Sequence, residues 1–284
     1  MAALWATWPP FAAVAAGCDG DGSSAPPDLP DPAELEALGA RIGAIEIEVE
    51  DIFDPGKPGE GALPYRLAND LHVRTRTDAV RSQLLFDETQ TYTRQKVAET
   101  ERLLRGRRYL YDAWIEPSCY HPDQRIVDLH VRVRDVWSLN PGFTFNRKGG
   151  TNRTGFEIED QDFLGRGELV SLSWGQNVDR STVRALYEDP QLFGSWWHGR
   201  VAYSDNSDGS FSNLEISRPF YSLDTRWSAG TAVVGGDRTD SRYRRGEVLD
   251  RFAERTNGFD AYGGRSDGLR DGWARRWLAG VHYE

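Results

Sequence analysis

The side chains that most often perform chemistry are few in this sequence, and their spacing matches no common catalytic pattern. None of the five histidines belongs to an HExxH pair or to another metal-binding spacing; they are His72, His121, His130, His198 and His282. No GxSxG segment, which would mark a nucleophile elbow, is present. We therefore predict that the chain is not an enzyme and that it binds no metal or cofactor.

Asp160 and Asp162 are a pair of candidate acid–base groups in the glycine-containing segment 159–167. Carboxylates at this spacing are more typical of a turn than of acid–base catalysis. The segment also lacks the Lys-Ser/Thr ending and the following helix that a phosphate-binding loop requires. We interpret it as a turn between strands.

The composition limits the class of protein. The net charge of -10 disfavours a basic surface for nucleic acid. The mean hydropathy of -0.60 disfavours apolar membrane helices, but a transmembrane barrel strand needs only about 9–11 residues with alternate positions apolar. The 10 tryptophans and single methionine suit strands with aromatic interfacial positions better than a packed helical core.

The N-terminal region resembles an export segment. Residues 4–16 are mostly apolar and end in small residues, so we predict a signal segment over 1–18. Cys18 follows a sequence similar to a lipoprotein cleavage box and is a candidate lipidation site. Residues 19–40 are rich in Asp, Gly, Ser and Pro, which predicts a linker.

Residues 41–140 alternate between strand-like and helix-like periods. Apolar and acidic residues alternate over 45–50, which predicts a strand. Leucines at 63, 67 and 71 predict a helix with one apolar stripe, and 80–86 holds a second apolar patch. A further helix should start at Thr93, run to Arg105 and end at Gly106. Strands follow at 110–115 and 127–134, which gives an α+β domain of order βααββ.

Residues 141–284 have strand periodicity throughout. Apolar residues alternate with polar or small ones over 170–174, 197–203, 227–233 and 277–283. A soluble sandwich and a membrane barrel share this alternation. Aromatic residues near strand ends, and charges such as Arg184, Glu188 and Arg200 on the less apolar faces, favour an antiparallel transmembrane β-barrel. We expect about eight or nine strands, with long loops and a strand or two over 235–272.

The local sequence also resembles a known family. The segments 80–86, 99–105, 131–139 and 159–167, with 187–190 and 218–220, are similar to the POTRA domain and adjoining surface-antigen type barrel of BamA/TamA-like outer-membrane assembly and secretion proteins. The residues that carry this resemblance are Leu84, Phe86, Glu99, Glu101, Arg102, Leu104, Arg105, Asp135, Trp137, Leu139, Phe163, Gly165, Gly167, Pro190, Pro219 and Phe220.

The resemblance implies a periplasmic POTRA domain over 41–140, which receives unfolded client polypeptides, and an outer-membrane barrel in the lipid bilayer over 141–284. Accessory lipoproteins are implied partners, and nucleic acid is not. The predicted strands amount to roughly half of a 16-stranded barrel, so we expect a truncated sequence. Two alternatives remain open: a barrel with a passive transport or structural role, and a soluble exported β-rich binding module or enzyme.

Overall fold

The computed structural model describes residues 29–54, 56–57, 62–148, 151–177, 180–245 and 247–284. The predicted signal segment and the candidate lipidation site Cys18 lie outside the described residues. Within them, no helix is both long and apolar enough to cross a membrane.

Among the described residues, the first folded unit, here called the α+β domain, contains four helices and three strands. In chain order these are α1 (Pro32–Ala37), β1 (Arg41–Glu50), α2 (Leu63–Leu71), α3 (Thr77–Arg81), α4 (Arg94–Arg105), β2 (Leu110–His121) and β3 (Ile126–Asp135). The strand order is β1-β3-β2, with β1 parallel and β2 antiparallel to β3. The alternating valines and leucine of β3 are fully buried, so the central strand supplies the middle of the core.

The linker prediction for 19–40 was wrong over its last part, because α1 lies there and Leu35 and Ala40 are fully buried in the core. Asp31 accepts hydrogen bonds from the Ala33 and Glu34 amides and forms a capping box with Glu34. Pro32 occupies the first helical turn, where its missing N–H costs nothing. The same Asp and Pro residues that suggest a linker also start a helix.

The helices differ from the expected pair in three respects. The short helix α3 is additional, so the order from β1 onward is βαααββ. Helix α2 forms as predicted, but its leucine stripe is exposed, at 70% for Leu63 and 72% for Leu71. Helix α4 begins after Thr93 as predicted, yet the Thr93 hydroxyl makes no capping bond. Glu36 of α1 accepts from the Arg94 amide instead, at 3.2 Å.

The second unit, here called the large sheet, has nine strands in the described part of the chain, in sequential order and each antiparallel to its neighbours. They are β4 (Leu139–Lys148), β5 (Thr151–Asp160), β6 (Leu169–Gln176), β7 (Ser181–Asp189), β8 (His198–Asn206), β9 (Gly209–Arg218), β10 (Trp227–Arg244), β11 (Glu247–Arg270) and β12 (Trp273–Tyr283). This confirms the expected strand number and antiparallel pairing.

The strand or two predicted over 235–272 are present, but the long loops were wrong, because β10 and β11 run through this segment as one long hairpin. Cross-strand ion pairs support its polar part: Arg238 lies 3.1 Å from Glu254, and Arg242 lies 3.7 Å from Asp250. Strand pairing here does not depend on apolar alternation, so a pattern search for alternation misses it.

The two faces of the large sheet differ in chemistry. One face, here called the inner face, carries small polar residues that are buried against their neighbours; among them are Ser171, Ser204, Ser217, Ser228 and Ser266. The other, the outer face, carries large apolar side chains that are exposed. Side chains converge on the concave side of a curved sheet and diverge on the convex side, so this difference indicates a sheet that curves with its polar face inside.

Candidate functional site

The α+β domain contacts one end of the large sheet, here called the domain-side end. Four connections between described strands lie there: turn 1 (161–168), turn 2 (190–197), turn 3 (219–226) and the two-residue turn 271–272. Turns 1 and 3 make hydrogen bonds to the α+β domain. These contacts form the junction, which we regard as the candidate functional site.

The centre of the junction is a pair of buried carboxylates joined by Thr75. The Asp135 carboxylate accepts from the Thr75 amide at 2.9 Å and the Thr75 hydroxyl at 2.7 Å, and it lies 2.9 Å from His72 Nε2. The same Thr75 hydroxyl lies 2.8 Å from Asp162 Oδ2 in turn 1. Asp162 also accepts from the Gly167 amide at 2.5 Å. The cluster thus links the end of β3 to turn 1.

A hydroxyl has one proton, so it donates to only one of the two carboxylates. When Thr75 donates to Asp135, its contact with Asp162 becomes a hydrogen bond only if the Asp162 carboxyl carries a proton. Burial raises the pKa of Asp162, as do the nearby Asp135 and Asp160, whereas the bonds from Thr75 and Gly167 act in the opposite direction. If Asp162 is protonated, Thr75 donates to Asp135 and Asp162 donates to Thr75, so both contacts are hydrogen bonds.

Turn 1 fits the domain surface through two glycines. Gly165 has φ +74, its carbonyl accepts from the Arg76 amide at 2.7 Å, and a Cβ added there would lie 2.2 Å from the Arg74 carbonyl oxygen. A Cβ at Gly167, φ +72, would lie 2.6 Å from the Tyr109 hydroxyl. Both positions therefore need glycine for backbone conformation and for close approach.

The Tyr109 ring closes the junction on the domain side. Its hydroxyl accepts from Gln83 Nε2 at 2.7 Å, and both side chains are almost fully buried. Burial raises the Tyr109 pKa to about 12, so the phenol stays neutral at physiological pH and serves as a packing and hydrogen-bonding group.

Turn 3 is held by the helix α4. Glu99 is buried, accepts from the Leu223 amide at 2.6 Å, and lies 3.3 Å from Arg102. Gln95, one helical turn earlier, contacts Asp224 at 3.3 Å. A carboxylate of the α+β domain thus satisfies a backbone donor of the large sheet.

Turns 1 and 2 share one local design that our sequence reasoning missed. Leu164 and Phe193 both have φ 57, and each precedes a glycine of positive φ. Asp160 and Asp189 each accept from the amide two residues further on. The signal was available, because an Asp stands five positions before the glycine in both turns.

The residues carrying the family resemblance fall into separate places. Glu99, Asp135, Gly165 and Gly167 meet at the junction. Leu84, Phe86 and Leu104 lie in the domain core, whereas Trp137, Leu139 and Phe163 are exposed around the junction. Glu101, Arg102 and Arg105 lie on α4, where Glu101 accepts from the Ile115 amide at 2.8 Å. Pro190, Pro219 and Phe220 lie in turns 2 and 3.

A second feature is an uncharged band on the outer face. On β11 the outward positions between Arg255 and Arg265 are Asn257, Phe259, Ala261 and Gly263. On β10 the matching run begins at Trp227, and the next charge on this face is Asp237. Within the band, one row of side chains crosses seven strands: Val170, Tyr187, Val201, Leu214, Val233, Phe259 and Tyr283.

The height of this band can be worked out from strand geometry. The ten-residue step from Arg255 to Arg265 spans about 33 Å at about 3.3 Å per residue. With a strand tilt of about 40°, this corresponds to about 25 Å along the axis of a barrel, which is the height of the apolar band of an outer-membrane barrel. The inner face keeps its charges at the same level, for example Glu188 3.6 Å from Arg200 and His282 2.7 Å from Asp260.

No protein-family model matches this chain, and no curated protein matches it. Among solved structures it is similar to BamA from Haemophilus ducreyi lacking POTRA domains 1–3, with a TM-score of 0.47, 12% identity, and coverage of 86% of this chain and 48% of that one. It is also similar to CdiB from Acinetobacter baumannii, with a TM-score of 0.49, 11% identity, and coverage of 86% and 46%. The chain thus spans about half the length of both structures.

Proposed function

We propose that the large sheet is part of an outer-membrane β-barrel and that the α+β domain is a POTRA-type domain on its periplasmic side. The observation that carries the proposal is the uncharged outer band, of bilayer height, bracketed by charged residues at both ends. A charge on the lipid face costs about 2–4 kcal/mol at the bilayer centre and little at the interface. A surface that contacts lipid is therefore expected to carry charged residues at the two edges of the band and none between them.

We further propose that the protein assists the insertion or translocation of client polypeptides. In the described part of the α+β domain, β2 pairs only with β3, so the carbonyl groups of its other edge are offered to an extended client segment. Two amides of β2 are already engaged, that of Ala113 by Asp112 and that of Ile115 by Glu101. The junction would hold this edge at a fixed position relative to the barrel wall. A client bound there would lie close to the domain-side end of the sheet.

The test uses the whole protein that contains this chain, reconstituted into vesicles with an unfolded outer-membrane protein as client. We expect the client to reach its folded, protease-resistant form faster than in empty vesicles. The variant Gly165→Ala should lose part of that acceleration, because it disturbs the junction, whereas Gly194→Ala in turn 2 should keep it. A protein that folds into vesicles but leaves the client rate unchanged would instead favour a barrel with a passive transport or structural role.

A further inference from the structure

A cluster of arginines and aromatic rings lies at the domain-side edge of the outer band. It consists of Arg218, Tyr221, Trp227, Arg265 and Trp277, which we call the basic aromatic patch. Strands β9 to β12 and turn 3 supply its members. The cross-strand register places Arg265 directly opposite Trp227 on one side and Trp277 on the other.

Arg218 is fixed in a defined orientation. Its guanidinium carbon lies 3.9 Å from the centre of the Trp227 ring and 4.8 Å from that of Tyr221. It donates to the Trp227 carbonyl at 2.7 Å and to the Tyr221 hydroxyl at 3.0 Å. A guanidinium has five N–H donors, so these two bonds leave donors for an acceptor outside the protein. Stacking on two rings preorganises the group.

Arg265 has a different environment from the arginine at the far edge of the band. Arg265 is exposed, and no carboxylate among the described residues forms an ion pair with it. Arg255, ten positions earlier on the same face of β11, stands directly opposite Asp237. The far edge therefore places a carboxylate on the strand directly opposite its arginine, whereas the domain-side edge places tryptophans on both sides of its arginine.

Tryptophans prefer the bilayer interface, and arginine forms bidentate bonds with phosphate. We propose that the basic aromatic patch binds the headgroup phosphate of an anionic phospholipid in the leaflet on the domain side. This inference rests on the proposed membrane barrel. The chain as a whole carries a charge of -10, which repels anionic lipid, so the attraction has to come from local contacts at this patch.

The experiment is a binding titration of the whole, delipidated protein in neutral detergent, followed by native mass spectrometry. The probes are phosphatidylglycerol and phosphatidylcholine. We expect phosphatidylglycerol to bind in preference to phosphatidylcholine. The double variant Arg218→Gln and Arg265→Gln should bind phosphatidylglycerol about tenfold more weakly. The matched variant Arg255→Gln, on the same face of β11, should bind within about twofold of the parent.

Two controls separate the outcomes. Heat-modifiable migration of each variant reports the folded barrel, so its loss in the parent would overturn the barrel proposal together with this one. A heat-modifiable double variant that binds phosphatidylglycerol like the parent would overturn only the lipid site. Displacement of the lipid by millimolar inorganic phosphate would also overturn it, since the site would then take free phosphate.

Discussion

The most discriminating perturbation of the junction is a single methyl group at Gly165. The change Gly165→Ala puts a Cβ 2.2 Å from the Arg74 carbonyl oxygen, a backbone atom that cannot turn away. Gly194 occupies the equivalent position of turn 2, with φ +67 and no atom within 4 Å of an added Cβ. The two substitutions therefore share the conformational cost of left-handed backbone, about 1–2 kcal/mol, and differ only in the clash.

The magnitude follows from the bonds that a shifted turn 1 would lose. Moving Gly165 away from Arg74 breaks the bond from the Arg76 amide to the Gly165 carbonyl and pulls Asp162 from Thr75. Each buried hydrogen-bonding group left without a partner costs about 1–3 kcal/mol. We expect Gly165→Ala to lower the local opening free energy by about 2–4 kcal/mol more than Gly194→Ala does.

The assay is native-state hydrogen exchange of the Arg76 amide in the whole protein. A difference of 2–4 kcal/mol corresponds to a protection factor lowered by roughly 30- to 900-fold relative to the Gly194→Ala variant. Peptides from the domain core, including β3, should keep the parent's protection in both variants. Equal protection of Arg76 in the two variants would refute the view that close packing of turn 1 holds the junction together.

Three further perturbations test individual contacts. Thr75→Val should lower the local opening free energy at the junction by about 2–4 kcal/mol, because two buried carboxylates lose a partner. Thr75→Ser keeps the hydroxyl and should lower it by under about 1 kcal/mol. Equal losses in the two variants would contradict the role of the hydroxyl. Because the Asp162 pKa is raised in the folded protein, its stabilising contribution is present below the unfolded value of 3.8 and is lost as pH rises through the folded value. Asp162→Asn should therefore have the same free energy of turn 1 opening as the parent at acid pH, and a higher one than the parent as the pH rises. Hydrogen exchange corrected for the intrinsic rate measures this free energy, and a difference that does not change with pH would contradict the prediction. Glu99→Ala should lower the opening free energy that protects the Leu223 amide from exchange by about 1–3 kcal/mol. Glu99→Gln should lower it by less, since the side-chain amide oxygen of glutamine still accepts the hydrogen bond.

Local patterns predicted most elements, because their causes are local. The alternation in β3 and the leucine spacing in α2 each identified an element type correctly. The helix α1 was missed because its start signal at Asp31 and Pro32 lies in a segment whose composition suggests a linker. The outer part of the hairpin of β10 and β11 was predicted mainly as loops because ion pairs, which depend on register, replace apolar alternation there.

The junction itself could not be predicted from spacing. Asp135 lies 60 positions after Thr75 in the sequence, and Asp162 lies 87 positions after it. The three residues meet only when turn 1 packs against the domain. The resemblance pointed to Asp135, Gly165 and Gly167 without identifying the groups that they contact. These contacts are visible only in three dimensions, where a carboxylate needs the Thr75 donor and the glycines lie against backbone and Tyr109.

The central claim, that the outer face contacts lipid, is tested most directly by paired cysteine labelling on β10 in native outer membranes. Val233 points outward in the middle of the band, and its neighbour Ala232 points to the inner face beside Asp260. Val233→Cys should resist a small charged thiol reagent and react with an apolar one, whereas Ala232→Cys should react with the charged reagent, each measured above the parent's own signal. Equal, rapid labelling of both positions by the charged reagent would contradict the barrel account.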